Sequence, residues 1–365
     1  MSRNHERSGG SRLLDVVLTL ALLGGLGGGA WYVYSKGVMI DQTTTYYVAE
    51  AQEQEPTEDP NAPKYDSVEV PNTAVNQGPL ILVNNDIPCV TDEENLVSLY
   101  ERMLEAESES FSVRDGELMV DAEYADALIA MLDDFYRDTG DDNILVLSGY
   151  RTQELQQQLY DEDLEETGQD YSDRVSKPGY SEHQTGYSVD FSIYDGEYDG
   201  TGIYSWIDEH CAEYGIILRY PDAKQDITNI RYEPWHYRYV GKPHAAYITQ
   251  NHLCLEEYIN LIETTYPYEG EHLVIADTDG KLYEVYYYAK DQEYDSTMVA
   301  VPAGRAYTIC GTNSNGFIVT VEADPSAVPS TPVVETVPET TAPAEETQEV
   351  PSEDEEQAED AELGE

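Results

Sequence analysis

Two short stretches of this 365-residue chain carry side chains that could do chemistry together: SEHQTGYSVDF at 181–191 and EPWHYRYVG at 233–241. In the first, His183 and Asp190 lie seven residues apart; in the second, Glu233 precedes His236 by three. Two imidazoles and a carboxylate can hold Zn²⁺ and leave a fourth position for water, while a further carboxylate takes that water's proton. This is the minimum kit of a metallopeptidase. Spacing alone is a weak signal, because a histidine or an aspartate can equally be satisfied by backbone groups. The surroundings strengthen it: both stretches read as half-buried strands, where an unpaired charge costs on the order of several kcal/mol and a cation would compensate.

The elements that must position these groups follow from periodicity. ILVLSGY at 144–150 reads as a buried strand, and Thr152 starts a helix running through Leu155 and Leu159 to about Leu164. Arg151 then sits at a strand-to-helix junction, where rigid elements aim a side chain into a cleft. GYSVDFS at 186–192 and RYEPWHYRYVG at 231–241 are expected as strands with a helix over Trp206–Tyr214 between them. Around this centre we expect a first strand in LILVNN at 80–85 and helices over 94–106 and 122–138. The second of these helices places Leu128, Met131, Leu132 and Phe135 at helical spacing. A closing helix over 243–264 and several short strands over 272–322, with turns at Asp279-Gly280 and Asn315-Gly316, complete the folded part.

Charge and composition exclude some classes of function. Lys and Arg number 19 against 73 Asp and Glu, so 19 − 73 = −54, a balance that repels nucleic acid and anionic lipid. Arg3, Arg7 and Arg12 precede an apolar run from Val16 to Tyr34. Roughly 19 such residues just span a bilayer, and the basic flank puts the N-terminus inside. A transmembrane signal anchor over 1–36 is the favoured reading and a cleaved signal peptide the competing one. Residues 37–77 read as a polar spacer, and from 324 to the end at 365 the chain carries no Lys or Arg and closes in SEDEEQAEDAELGE, the composition of a disordered acidic tail. Cys89, Cys211, Cys254 and Cys310 are too widely spaced for a metal knuckle; in an exported chain they could pair in three ways or stay buried as free thiols. The histidines at 210, 244, 252 and 272 are expected in surface or core roles.

SGYRT with a glutamine five residues after the arginine, then PGYSEHQTGYSVDF, then EPWHYRYVG occur in this order over roughly residues 78–250. In these motifs the chain resembles the VanY-type D-alanyl-D-alanine carboxypeptidases, zinc enzymes of a wider family that includes lysostaphin-like and hedgehog-like folds. The resemblance implies an α+β fold, a small antiparallel sheet flanked by helices and carrying the zinc site. It makes His183, Asp190 and His236 the ligands of Zn²⁺ and Glu233 the general base. Arg151 would stabilise the developing oxyanion or bind a carboxylate, and Ser181 and Gln156 would line the peptide pocket. Gly186 would let backbone approach the site, and Trp235 would pack beneath the second histidine. Where members of the family commonly carry a small aliphatic pair before the aspartate, this chain has Tyr187 and Ser188.

The implied organisation is a zinc carboxypeptidase domain at 78–265 followed by a small β appendage at 266–323. The implied activity is removal of the terminal D-alanine from peptidoglycan stem peptides on the outer side of the membrane. Action on a tetrapeptide as an L,D-carboxypeptidase, or a non-catalytic wall-binding role, are the alternatives.

Overall fold

The computed structural model describes residues 47–49, 65–90, 95–172, 174–324 and 327–330. All of them fall in one compact unit, Met1–Ser330. The anchor expected over 1–36, most of the spacer and the tail from 331 onward lie outside the described residues. No helix among the described residues is long and apolar enough to cross a membrane.

The fold is α+β. Its central sheet has five strands in the order Ser112–Val113, Ile144–Ser148, Ser188–Ile193, His236–Tyr239, Ile216–Leu218. The first pair runs parallel and the other three pairs antiparallel. Alternation along these strands gives the sheet two unlike faces. Val146, Val189, Phe191, Ile216 and Tyr237 point to one side and pack on the helix Ala122–Thr139 through Leu128, Met131, Leu132 and Phe135. That helix is bounded by its own sequence: the Asp121 side chain accepts from the Glu123 amide at 2.9 Å, and Gly140 ends it at φ 72°. The opposite face carries Ser148, Ser188, Asp190, His236 and Arg238, all buried and all polar. Polar groups concentrated on one side of a buried sheet make the site.

Several elements differ from the sequence reading. LILV at 80–83 is buried but pairs in no ladder. Its carbonyls are met instead by side chains, since Arg238 Nη2 donates to those of Pro79 and Ile81, both at 2.9 Å, and Asn313 Nδ2 to that of Leu82 at 3.0 Å. The helix expected from 94 starts at Leu99, because Ser98 caps it by accepting from the Glu101 amide and Leu96–Ser98 pairs as a strand with Met119–Asp121. Of 231–241 only His236–Tyr239 is a strand; Pro234 cannot donate to a ladder, and the residues before His236 form a turn closed by its amide on the Glu233 carbonyl at 3.2 Å. The closing helix is two helices, Lys242–Gln250 and Leu255–Thr265, parted where His252 takes φ 52° and Glu257 caps the amide of Cys254. No disulfide links the four cysteines.

The C-terminal strands form a second five-stranded sheet, Tyr47–Ala49, Tyr307–Gly311, Gly316–Glu322, Leu282–Ala289, Leu273–Ala276. Tyr65–Pro71, within the stretch read as spacer, pairs along its whole length with Ser296–Pro302. Nor is this sheet an independent attachment: Leu273, Ile275, Val285 and Ile318 share one core with Val240, Leu255, Tyr258 and Ile262. A fragment ending at 265 therefore exposes the faces that these four strand residues cover, each worth about 1.5–3 kcal/mol on burial. At about 2–4 °C per kcal/mol for a protein this size, we expect fragment 78–265 to melt on the order of 10 °C or more below fragment 65–330 by scanning calorimetry. Equal melting temperatures would show that the two cores are independent.

Candidate active site

Register places the first pair of functional groups. Asp190 lies directly opposite His236 on one neighbouring strand and opposite Ser148 on the other, where a register shift between Val146 and Ser148 brings that serine into line. Directly paired residues point to the same face, so Ser148, Asp190 and His236 form a row across the sheet. The Arg219 amide donates to the His236 carbonyl at 3.1 Å and extends the contact to the edge strand.

His183 comes from outside the sheet, on the single 3₁₀ turn Glu182–Thr185. Ser181 caps that turn with its hydroxyl, and Gly186 ends it at φ 77°. A close approach aims the ring: Gly149, whose added Cβ would lie 2.5 Å from the Met119 carbonyl, offers its own carbonyl to His183 Nδ1 at 2.7 Å. A carbonyl can only accept, so Nδ1 carries the proton and Nε2 faces the sheet with its lone pair, 3.2 Å from Asp190 Oδ2. From the other side His236 turns Nδ1 inward, 3.1 Å from Asp190 Oδ1 and 3.7 Å from Glu233 Oε2.

One donor atom each from His183, Asp190 and His236 lies within 4.8 Å of the other two. All three residues are buried, and Asp190 Oδ1 accepts no hydrogen bond among the described residues. Two imidazole nitrogens and a carboxylate oxygen are a borderline donor set that suits zinc. The residues fit.

Electrostatics agree with the geometry. Burial, with the Arg151 cation beside it, pushes the His183 imidazole down to about 4, so it stays neutral. Burial also disfavours charge on His236, but Asp190 and Glu182 outweigh it and raise that imidazole to about 9. A proton and a cation thus compete for the same nitrogen cluster. Burial lifts Glu233 to about 7. Asp190 is held well below the usual carboxylate range: burial opposes this, and the Arg151 cation that donates to it favours the charged form.

The remaining residues named from the sequence also reach the site. Arg151 donates from Nη2 to Asp190 Oδ2 at 2.5 Å, from Nε to Ser148 Oγ at 2.9 Å and from Nη1 to Gln156 Oε1 at 3.4 Å. Gln156, fully buried, donates in turn to the Ser176 carbonyl at 2.7 Å. Arg151, Gln156, Ser181 and Glu233 line, with the three metal-ligand candidates, one cavity of about 310 Å³. Two expectations are revised. The ring packed on His236 is Tyr220, with centroids 4.9 Å apart, while Trp235 lines the cavity and packs against the core cluster. Gly186 serves not the cavity but a tight contact with Leu96 and Asp121. Tyr187 is buried beside Tyr239 and Arg238, outside the cavity wall. His244 has a core role between Tyr258 Oη at 2.6 Å and Thr320 Oγ1 at 3.1 Å.

Residues 117–242 match the VanY family model, described as D-alanyl-D-alanine carboxypeptidase. A D-alanyl-D-alanine carboxypeptidase of Enterococcus faecium is 32% identical over 251 residues, 68% of this chain and 76% of that protein. The chain belongs to the VanY-type D-alanyl-D-alanine carboxypeptidase family. A bifunctional D-Ala-D-Ala dipeptidase and carboxypeptidase of Enterococcus gallinarum is 41% identical over 132 residues, 34% of this chain and 70% of that one. Among solved structures, a vancomycin-resistance D,D-dipeptidase in complex with a D-Ala-D-Ala phosphinate analogue superposes with a TM-score of 0.62 at 28% identity, covering 71% of this chain and 99% of that one.

Sequence reading missed a group that touches this VanY-type site. Glu182, Arg219, Arg238 and Glu256 form a buried network in which Arg219 Nε and Arg238 Nη1 both lie 2.8 Å from Glu182 Oε1, and Arg219 Nη2 lies 2.7 Å from Glu256 Oε1. Two arginines overcome burial and hold Glu182 far below the usual carboxylate range. The available signal was an arginine within each of two apolar, aromatic strand runs, IILRY at 216–220 and HYRYV at 236–240, where a charge must find a partner inside.

Replacing Gly186 tests how tightly the His183 turn is seated. An added Cβ would lie 2.5 Å from Leu96 Cδ2 at a left-handed φ that alone costs about 1–2 kcal/mol. We expect Gly186→Ala to lower stability to urea by about 2 kcal/mol or more. A loss under about 0.5 kcal/mol, the size of an ordinary surface change, would show that the turn is loosely held.

Proposed function

We propose that the chain is a zinc-dependent D-alanyl-D-alanine carboxypeptidase that removes the terminal D-alanine from peptidoglycan stem peptides. The observation that carries this reading is the convergence of His183, Asp190 and His236 beside a second buried carboxylate, Glu233, in one cavity with Arg151. His183 Nε2, the Asp190 carboxylate and His236 Nδ1 would hold the metal. Zinc, when bound, supplies a water of lowered pKa and polarises the peptide carbonyl.

The chain's own groups do the rest. Glu233 accepts the proton of the attacking water and hands it to the amine of the departing D-alanine, so one carboxylate serves as base and then as acid. Arg151, always charged and held by Ser148 and Gln156, offers donors to the negative charge developing on the carbonyl oxygen or to the substrate's terminal carboxylate. Ser181 and Gln156 set the wall against which the peptide lies. The apolar run at 16–34, with its basic flank, holds this domain on the outer side of the membrane, where stem peptides are found.

A second reading, D-Ala-D-Ala dipeptidase action, is favoured by the bifunctional relative and by the dipeptidase of similar fold. Incubation of the zinc-loaded protein with a pentapeptide stem, a tetrapeptide stem and free D-Ala-D-Ala, followed by mass spectrometry, separates these. Loss of one D-alanine from the pentapeptide is expected. Cleavage of the tetrapeptide alone indicates an L,D-carboxypeptidase, cleavage of the dipeptide alone a dipeptidase, and no release from any of them a non-catalytic role. Glu233→Gln is expected to lower pentapeptide turnover about 10²–10⁴-fold with zinc still bound. Turnover within about tenfold of the parent would remove Glu233 from the mechanism.

A further inference from the structure

We propose that Glu182 is a positioning residue for the metal ligand His236: its buried carboxylate faces the Nε2–H of that imidazole and thereby keeps the Nδ1 lone pair turned toward the metal. This inference rests on the reading of His236 as a ligand. An imidazole that ligates through Nδ1 carries its proton on Nε2, and a buried N–H needs an acceptor. His236 Nε2 is buried and has no hydrogen-bond partner among the described residues. The carboxylate that faces it is Glu182, with Oε2 3.7 Å away. That separation is an ion-pair contact rather than a hydrogen bond, so the attraction acts through charge and orientation.

The rest of the network fits a carboxylate kept charged and aimed. Glu182 Oε1 is held by Arg219 Nε and Arg238 Nη1, both at 2.8 Å, and Oε2 also accepts from Ser188 Oγ at 3.3 Å. Both arginines are fixed elsewhere, Arg219 by Glu256 and Arg238 by the carbonyls of Pro79 and Ile81. Two carboxylates and two guanidiniums balance within the network, so Glu182 remains anionic without being drawn onto the metal. Glu182 also precedes His183 directly in sequence, so one 3₁₀ turn presents one ligand and steadies the other.

The test compares two ways of breaking the same network in the full chain. Glu182→Gln removes the charge that faces His236; Glu256→Gln removes a charge held by Arg219 and Asn84, away from His236. Zinc affinity, measured by competition with a chromophoric chelator, is expected to fall about 10–100-fold in Glu182→Gln and to stay at the parent value in Glu256→Gln, while thermal melts report the stability of both. Equal affinity in parent and Glu182→Gln, or equal losses in the two variants, overturns the proposal and leaves a purely structural network. If Glu182→Gln does not fold, ¹⁵N-histidine spectra of the zinc-loaded parent decide: His236 must show Nε2–H with Nδ1 ligated, and the reverse assignment overturns the proposal. A parent that binds no zinc removes the metal site itself, an outcome distinct from a parent that binds zinc without needing Glu182.

Discussion

The carboxylate of Asp190 sits in the middle of a buried strand, and the structure around it exists to neutralise that charge. Placing an ionised carboxylate between two neighbouring strands is costly unless every oxygen is met. Here one oxygen accepts from Arg151, and His183 Nε2 and His236 Nδ1 stand 3.2 Å and 3.1 Å from the two oxygens, where a shared cation would meet the remaining charge. Because Asp190 is directly opposite His236 and Ser148, the strand register itself sets which groups share the charge. A one-residue slip would carry the whole polar row to the side packed on the helix Ala122–Thr139.

The two faces of the central sheet therefore divide the work. One supplies an apolar core around Leu128, Met131, Leu132 and Phe135, which sets the sheet against a well-capped helix. The other collects charge in two layers. The upper layer, Arg151, His183, Asp190, Glu233 and His236, opens to the cavity, and the lower layer, Arg219, Arg238 and Glu256, lies behind it, joined to it by Glu182 at the cavity wall. Arg238 links the lower layer to the buried segment at 79–81, and Glu256 links it to the helix that shares a core with the C-terminal sheet. The site is thus tied to both ends of the folded unit.

How much of this the sequence made legible depended on whether the signal was local. The helix over 122–138 and the strand over 144–150 were readable because period and caps lie within the element itself, and the structure differs from that reading only at their ends. The motif residues were readable because they recur in a fixed order; their shared cavity is what the structure adds. Less legible were features satisfied at a distance. LILV at 80–83 has the composition of a strand, yet its carbonyls are met by the side chain of a residue more than 150 positions away. The spacer reading of 65–71 failed for the same reason: its partner strand begins at Ser296. Glu182 lay beside a named ligand, but its significance needs two arginines distant from it in sequence, Arg219 and Arg238.

The claim on which the account turns is that His183, Asp190 and His236 hold one zinc ion. Zinc K-edge absorption spectroscopy on the zinc-loaded protein tests it directly. Two imidazole nitrogens at about 2.0–2.1 Å and a carboxylate oxygen at about 2.0–2.2 Å are expected, with no sulfur shell. A spectrum without imidazole scattering, or with sulfur at about 2.3 Å, would contradict it.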